Sequence, residues 1–152
     1  MAPNGLFVDF YGPAIGRRHD VYVLRKSALL ARLSAALVTR DETYYIYGNP
    51  AYVLRSTLQV GYKGTSLTDA QQQFNAAMSG VRVSVEWGFA EVVRYWPFVD
   101  VKNALQIGMS PVGTYYMVAV LLTNFKNCVE PNQISQFFQM LPPSLQEYLH
   151  FA

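Results

Sequence analysis

A single cysteine, Cys128, stands in 152 residues, so no intrachain disulfide can form, and a secreted scaffold stapled by bridges is excluded. Two histidines and one cysteine cannot assemble a Cys/His metal cluster of the zinc-finger kind. Charge is also sparse: 12 Lys and Arg against 10 Asp and Glu give a net +2, too little to nominate nucleic acid on charge alone. Residues 103–125 carry no charge, yet Asn103, Gln106, Ser110, Pro111 and Gly113 interrupt them. The dense apolar part, 112–122, is shorter than a bilayer span, so no membrane segment is expected. The first residues, Met1-Ala2-Pro3-Asn4-Gly5, have neither the basic region nor the apolar core of a signal peptide and read as a turn entering a strand. Gly12 and Gly16 are only two loop glycines, with no phosphate-cradling loop ahead of a helix. His150, Cys128 and the serines show no spacing of a nucleophilic triad.

What is abundant is apolar and aromatic material. Hydrophobic residues make up 51% of the chain, including eleven tyrosines, nine phenylalanines and two tryptophans. That is enough to bury a core, and one domain over 1–152 is the expectation. The tyrosine hydroxyls must reach partners or solvent, and part of the aromatic surface is open to use by a partner protein.

The patterning predicts a strand over residues 6–11 and a loop over 12–20. A helix follows over 21–38, with Leu24, Ala28, Ala31, Ala35 and Val38 as its apolar stripe and Asp20 as N-cap. Tyr44-Tyr45-Ile46-Tyr47 reads as a short buried strand stopped by Gly48-Asn49-Pro50, with irregular chain after it as far as Gly64. Ser66-Leu67-Thr68-Asp69 opens a long helix that Pro97 ends. Phe74, Met78, Val81, Val85, Gly88, Phe89, Val92 and Trp96 are expected on one face of it. Further helices are expected over 112–125 and 144–149, the latter set off by Pro142-Pro143. Strand, helix, strand and long helix in that order fit an α/β layered domain.

Three segments share an unusual character. Ser79-Gly80-Val81-Arg82-Val83-Ser84-Val85-Glu86-Trp87-Gly88-Phe89 sets Glu86 in an otherwise apolar helical run. The others are Gly12-Pro13-Ala14-Ile15-Gly16-Arg17-Arg18-His19-Asp20 and Tyr47-Gly48-Asn49-Pro50-Ala51-Tyr52. Together they resemble the DDE superfamily endonucleases of the Harbinger/PIF transposase type, whose segments read G-x-x-G-R-R-H-D, G-D-x-x-Y and N-x-x-x-S-x-x-R-x-x-V-E-x-x-F. The resemblance runs over about residues 4–98, leaving the helices of 99–152 beyond it. It implies a partial ribonuclease H-like (retroviral integrase-like) α/β fold lacking its first strand region, with additional C-terminal helices.

The chemistry it implies is divalent-metal-dependent cleavage or strand transfer of DNA phosphodiesters. Three carboxylates hold two Mg²⁺ or Mn²⁺ ions, because a hard cation gives up its water only to several anionic oxygens. The third carboxylate corresponds to Glu86. Arg82, one turn earlier, is placed to orient it or to form a plain surface pair, and the alternative for Glu86 itself is a solvated acid beside an apolar stripe. The second falls on Asn49, an amide without formal charge, equally readable as a turn former ahead of Pro50. The position of the first lies upstream of the matching segment, and Asp9 does not replace it, since its flanks lack the Asp-Gly-Thr context. Asp20 is a helix cap or a residue near the metal. His19 neighbours it, and Arg17 and Arg18 are alternatives for contact with phosphate.

With one acid outside the chain and a second altered, the expectation is a transposase-derived nuclease domain that is inactive by itself. The alternatives are a domesticated protein-interaction module, with a protein partner or a second copy, and a fragment of a longer active transposase. The resemblance places such a protein in the nucleus, with DNA as the ancestral partner. Arg17, Arg18, Arg25, Lys26 and Arg32 make at most a weak basic surface.

Overall fold

A computed structural model describes residues 1–12, 14, 19–38, 42–100 and 111–150. The architecture is mixed and helix-rich. In chain order it has α1 (Asp20–Ser27), α2 (Leu29–Leu37), β1 (Ile46–Tyr47), β2 (Leu58–Gln59), α3 (Asp69–Tyr95), a 3-10 turn (Pro97–Val99), α4 (Val112–Val129), α5 (Gln133–Phe138) and α6 (Leu145–His150). The chain divides into two compact units, residues 14–82 and residues 1–13 with 83–152, and α3 contributes to both.

In the 14–82 unit, β1 and β2 pair in parallel with Ile46 opposite Leu58 and Tyr47 opposite Gln59. Of the buried strand expected over 44–47, only Ile46 and Tyr47 pair, ending at Gly48 as expected; both are half-buried, and Tyr44 and Tyr45 ahead of them are exposed. Its partner β2 lies in chain that reads as irregular, because two residues give no periodicity to detect. Leu58 and Val60 are buried here, and the Phe74 ring meets Tyr47 and Tyr62 edge-on at 6.1 and 5.5 Å. Asn75 lies one residue further along α3. Its Oδ1 accepts from the Tyr62 N–H at 2.9 Å and its Nδ2 donates to the Tyr62 carbonyl at 3.0 Å.

The helix expected over 21–38 is two helices. Ala28 adopts a left-handed conformation, φ 52°, between α1 and α2. The Ser27 hydroxyl helps to end α1 by donating to the Leu24 carbonyl and accepting from the Leu29 N–H. The alanine-rich stripe therefore does not form one continuous buried face, and Val38 is 50% exposed. Nor is Asp20 the N-cap. His19 holds that position in extended conformation, with no side-chain capping bond, and Asp20 is the first helical residue.

The start of α3 is fixed by a reciprocal pair: the Thr68 N–H donates to the Gln71 side chain and the Gln71 N–H to Thr68 Oγ1. Its end comes as expected, with Pro97 opening the 3-10 turn. The face it buries is narrower than the apolar pattern suggests. Ser84, Gly88 and Val92 are buried, whereas Val81 is 40% exposed and Phe89 half-exposed beside Phe7, with ring centroids 5.7 Å apart.

In the other unit, Val92, Val99, Ala119 and Val120 form the core, with Phe7, Phe10, Trp96 and Tyr116 packed on it. The Trp96 indole N–H donates to Thr123 Oγ1 at 3.0 Å, joining the end of α3 to the middle of α4. Helix α4 runs four residues past its expected end at 125, to Val129. Helix α5, absent from the expectation, starts at a capping box of Asn132 and Ser135. Before α6, Ser144 and Glu147 exchange hydrogen bonds in the same way.

The segment expected as a strand over 6–11 has no strand neighbour among the described residues, and side-chain amides take the place of one. The Phe7 N–H donates to Asn124 Oδ1 at 2.8 Å, and Asn124 Nδ2 donates to the Phe7 carbonyl at 2.9 Å and to the Tyr148 hydroxyl at 3.0 Å. Asn127 Nδ2 donates to the Gly5 carbonyl and Asn132 Nδ2 to that of Asn4. Gly5 itself, φ 82°, closes a turn onto the Ala2 carbonyl, and a methyl group there would run into the Asn132 side chain.

Asn124→Ala is expected to lower unfolding free energy by about 1–3 kcal/mol, since it leaves the part-buried Phe7 N–H and carbonyl without their partner. Asn124→Asp keeps the acceptor but turns a carboxylate oxygen toward the Phe7 carbonyl, and its destabilisation should shrink as pH falls and the acid protonates. Urea unfolding of both variants between pH 4 and 8, on the order of a few kcal/mol apart from the parent at neutral pH, is the check.

Candidate functional site

The turn after β1 is built by its own side chains. Asn49 Oδ1 accepts from the Ala51 N–H at 2.9 Å, and the Asn49 carbonyl accepts from the Tyr52 N–H at 2.9 Å, which folds 49–52 into an Asx turn. The ring of Tyr52 then lies over Gly48. A Cβ at Gly48 would stand 2.8 Å from Tyr52 Cδ2 and 3.0 Å from Leu58 Cδ1. The Gly-x-x-x-Tyr spacing is therefore a packing unit, the glycine leaving room for the aromatic four residues later. Asn49 is exposed, and its side-chain oxygen is engaged by the turn.

The start of α1 lies close to this turn. Burial raises the Tyr52 hydroxyl pKa above its ordinary value, and the negative charge of Asp20 raises it further. Thus His19-Asp20 and Gly48-Asn49-Pro50-Ala51-Tyr52, far apart in the chain, are neighbours within the 14–82 unit. Asp20 and His19 are both exposed. Arg17 and Arg18 lie outside the described residues.

Glu86 belongs to the other unit. It is exposed on α3, with Arg82 one turn before it on the same helix and Trp87 after it. Five residues on, Glu91 occupies a different setting that the sequence reading passed over. It is half-buried, its Oε2 accepts from Asn127 Nδ2 at 3.1 Å, and it lines a cleft of about 300 Å³ with Arg94, Tyr95 and Asn132. Asn127 is fully buried, and its Oδ1 has no hydrogen-bond partner among the described residues. The signal available in the sequence was an acid five residues beyond Glu86 on the same helix, with Asn124 and Asn127 in a mostly apolar α4.

Among the described residues, no three His, Cys, Asp or Glu side chains converge as a divalent cation requires. Asn49 offers an amide oxygen without formal charge and Glu86 a single exposed carboxylate, so the described residues do not assemble the set of anionic oxygens that holds Mg²⁺ or Mn²⁺ firmly. Burial pushes the Cys128 thiol up, away from the thiolate that a nucleophile needs. No helix among the described residues is long and apolar enough to cross a membrane.

A family model described as DDE superfamily endonuclease matches residues 1–124 of the chain. No curated protein and no solved structure gives a significant match.

Gly48→Ala is expected to lift the Tyr52 ring from its seat and to destabilise the chain by about 1–3 kcal/mol, as overpacking does. Asn49→Asp should leave stability within about 0.5 kcal/mol of the parent, because a carboxylate oxygen accepts the Ala51 N–H equally well. Thermal melts of the two variants separate these outcomes.

Proposed function

The chain belongs to the DDE superfamily endonuclease family, and from that premise we propose that it is a transposase-derived nuclease domain that does not cut DNA by itself. The observation that carries this reading is Asn49. It stands where the family's second Asp is expected, and its oxygen is committed to holding a turn rather than to a cation. An amide removes one of the negative charges on which dehydration of a hard cation depends. The family's ancestral reaction is divalent-metal-dependent cleavage or strand transfer of DNA phosphodiesters.

Assignment to the Harbinger/PIF type, a ribonuclease H-like ancestry for the α/β arrangement and a nuclear location follow from the motifs of Arg17 to Asp20, Gly48 to Tyr52 and Arg82 to Glu86. In this reading Glu86 is the remaining carboxylate ligand and Arg82 orients it. Asn49 and Asp20 are the vestigial oxygen donors, and His19, Arg17 and Arg18 are the candidates for supporting them or for contact with phosphate. The adjacency of Asp20 to the 49–52 turn supports the grouping of those two segments. A second reading, a domesticated protein-interaction module, draws support from exposed apolar side chains such as Val53, Leu54 and Val38.

Calorimetric titration with Mn²⁺ of the parent, Glu86→Ala and Asn49→Asp tests the assignment. Asn49→Asp should tighten binding by about tenfold, and Glu86→Ala should abolish what the parent shows, since anionic ligand count sets affinity for a hard ion. Plasmid nicking by the purified parent that disappears in Glu86→Ala would overturn the claim of inactivity.

A further inference from the structure

Within the 14–82 unit, α1, α2 and the chain at 52–58 enclose an open groove of about 820 Å³. Leu24, Leu30 and Val53 are among its apolar walls, Arg25 and Arg55 are its cationic side chains among the described residues, and His19 also lines it. Among the described residues no carboxylate lines it and no ion pair joins either arginine to an acid. The Arg25 guanidinium lies 5.8 Å from the centre of the Tyr22 ring, which steers it without neutralising it. Asp20, whose charge acts on the lining residue Tyr52, is not itself among the lining residues. Val53 is 62% exposed and Val38 50%, apolar surface that water covers poorly.

We propose that this groove docks a segment of a partner protein carrying apolar side chains interspersed with carboxylates. The argument is charge complementarity on an apolar floor. Apolar side chains of the segment cover Leu24, Leu30 and Val53, and its carboxylates meet Arg25 and Arg55, for which planar, two-pronged pairing suits an acidic side chain. A nucleic-acid strand fits less well. Among the described residues only two guanidinium groups line the groove, fewer charges than a phosphate backbone presents along its length. Phosphates would also leave the apolar floor uncovered. The proposal does not depend on whether a nuclease site survives elsewhere in the chain.

Fluorescence anisotropy on the full chain tests it with three labelled probes: a short peptide alternating valine and glutamate, its valine–lysine counterpart, and an oligothymidylate. The glutamate peptide should bind and the lysine peptide should not. Arg25→Glu combined with Arg55→Glu should weaken the glutamate peptide by about tenfold or more, as removal of charge pairs does, while Ala31→Trp should block it by filling the groove. Circular dichroism melts confirm that each variant is folded. Should either fail to fold, a salt titration of the parent serves instead, and affinity for the glutamate peptide should fall as ionic strength rises. Equal binding of the two peptides, tighter binding of oligothymidylate, no binding of the glutamate peptide, or insensitivity to both charge reversal and salt would overturn the proposal.

Discussion

The two units rest on one repeated device, an asparagine amide that takes the place of a neighbouring β-strand. Asn124 accepts from the N–H of Phe7 and donates to its carbonyl, and Asn75 does the same for Tyr62. An amide side chain suits this task because its oxygen and nitrogen sit side by side in one plane, as the acceptor and donor of a strand edge do. An extended segment that would otherwise need a sheet is thereby satisfied by a helix. The energetic stake is high in one place especially, since Asn124 and Asn127 are essentially buried and both hold the 4–7 segment. With those bonds made, Phe7 and Phe10 reach the core of Val92, Val99, Ala119 and Val120, and Phe10 stacks on Tyr116 at 5.5 Å.

The same constraint explains which parts of the fold were legible in the sequence. Long elements announced themselves: α3 has an apolar period, a Thr-x-x-Gln start and a proline stop, and all three are used. The 6–11 segment was legible as extended chain, but its alternation could not say that Asn124, more than a hundred residues away, would be the partner. Ala28 misled, because alanine is the strongest helix former and nothing local marks a left-handed break. What ends α1 there is Ser27, whose hydroxyl competes for backbone groups on both sides of it. Helix α5 was missed because six residues hold less than two turns of pattern, even though Asn-x-x-Ser stands at its start.

For the candidate site, the sequence and the structure speak to different things. The motif Gly48-Asn49-Pro50-Ala51-Tyr52 was read through chemistry, as a position where an acid is expected. The geometry adds a mechanical reason for its spacing, since Tyr52 covers Gly48 and Asn49 ties the intervening turn. Asp20, read first as a cap, caps nothing through its side chain and instead bears on Tyr52. Glu91 went unnoticed because a carboxylate next to an apolar helix face looks solvated until a buried amide such as Asn127 is placed against it.

Holding the turn and binding a cation would ask different things of residue 49, and the two can be separated physically. An Asx turn needs only a planar oxygen three bonds beyond Cα to accept the N–H two residues on, and aspartate and asparagine supply it alike. A hard cation asks something further of the same oxygen, a negative charge, which only aspartate brings. Exchange of Asp for Asn at this position therefore leaves the turn, the seat of Tyr52 on Gly48 and the neighbouring start of α1 with the contacts they had. Any loss falls on the charge alone. The stability of the turn does not depend on that charge, so the turn persists whether or not the chain has a use for metal.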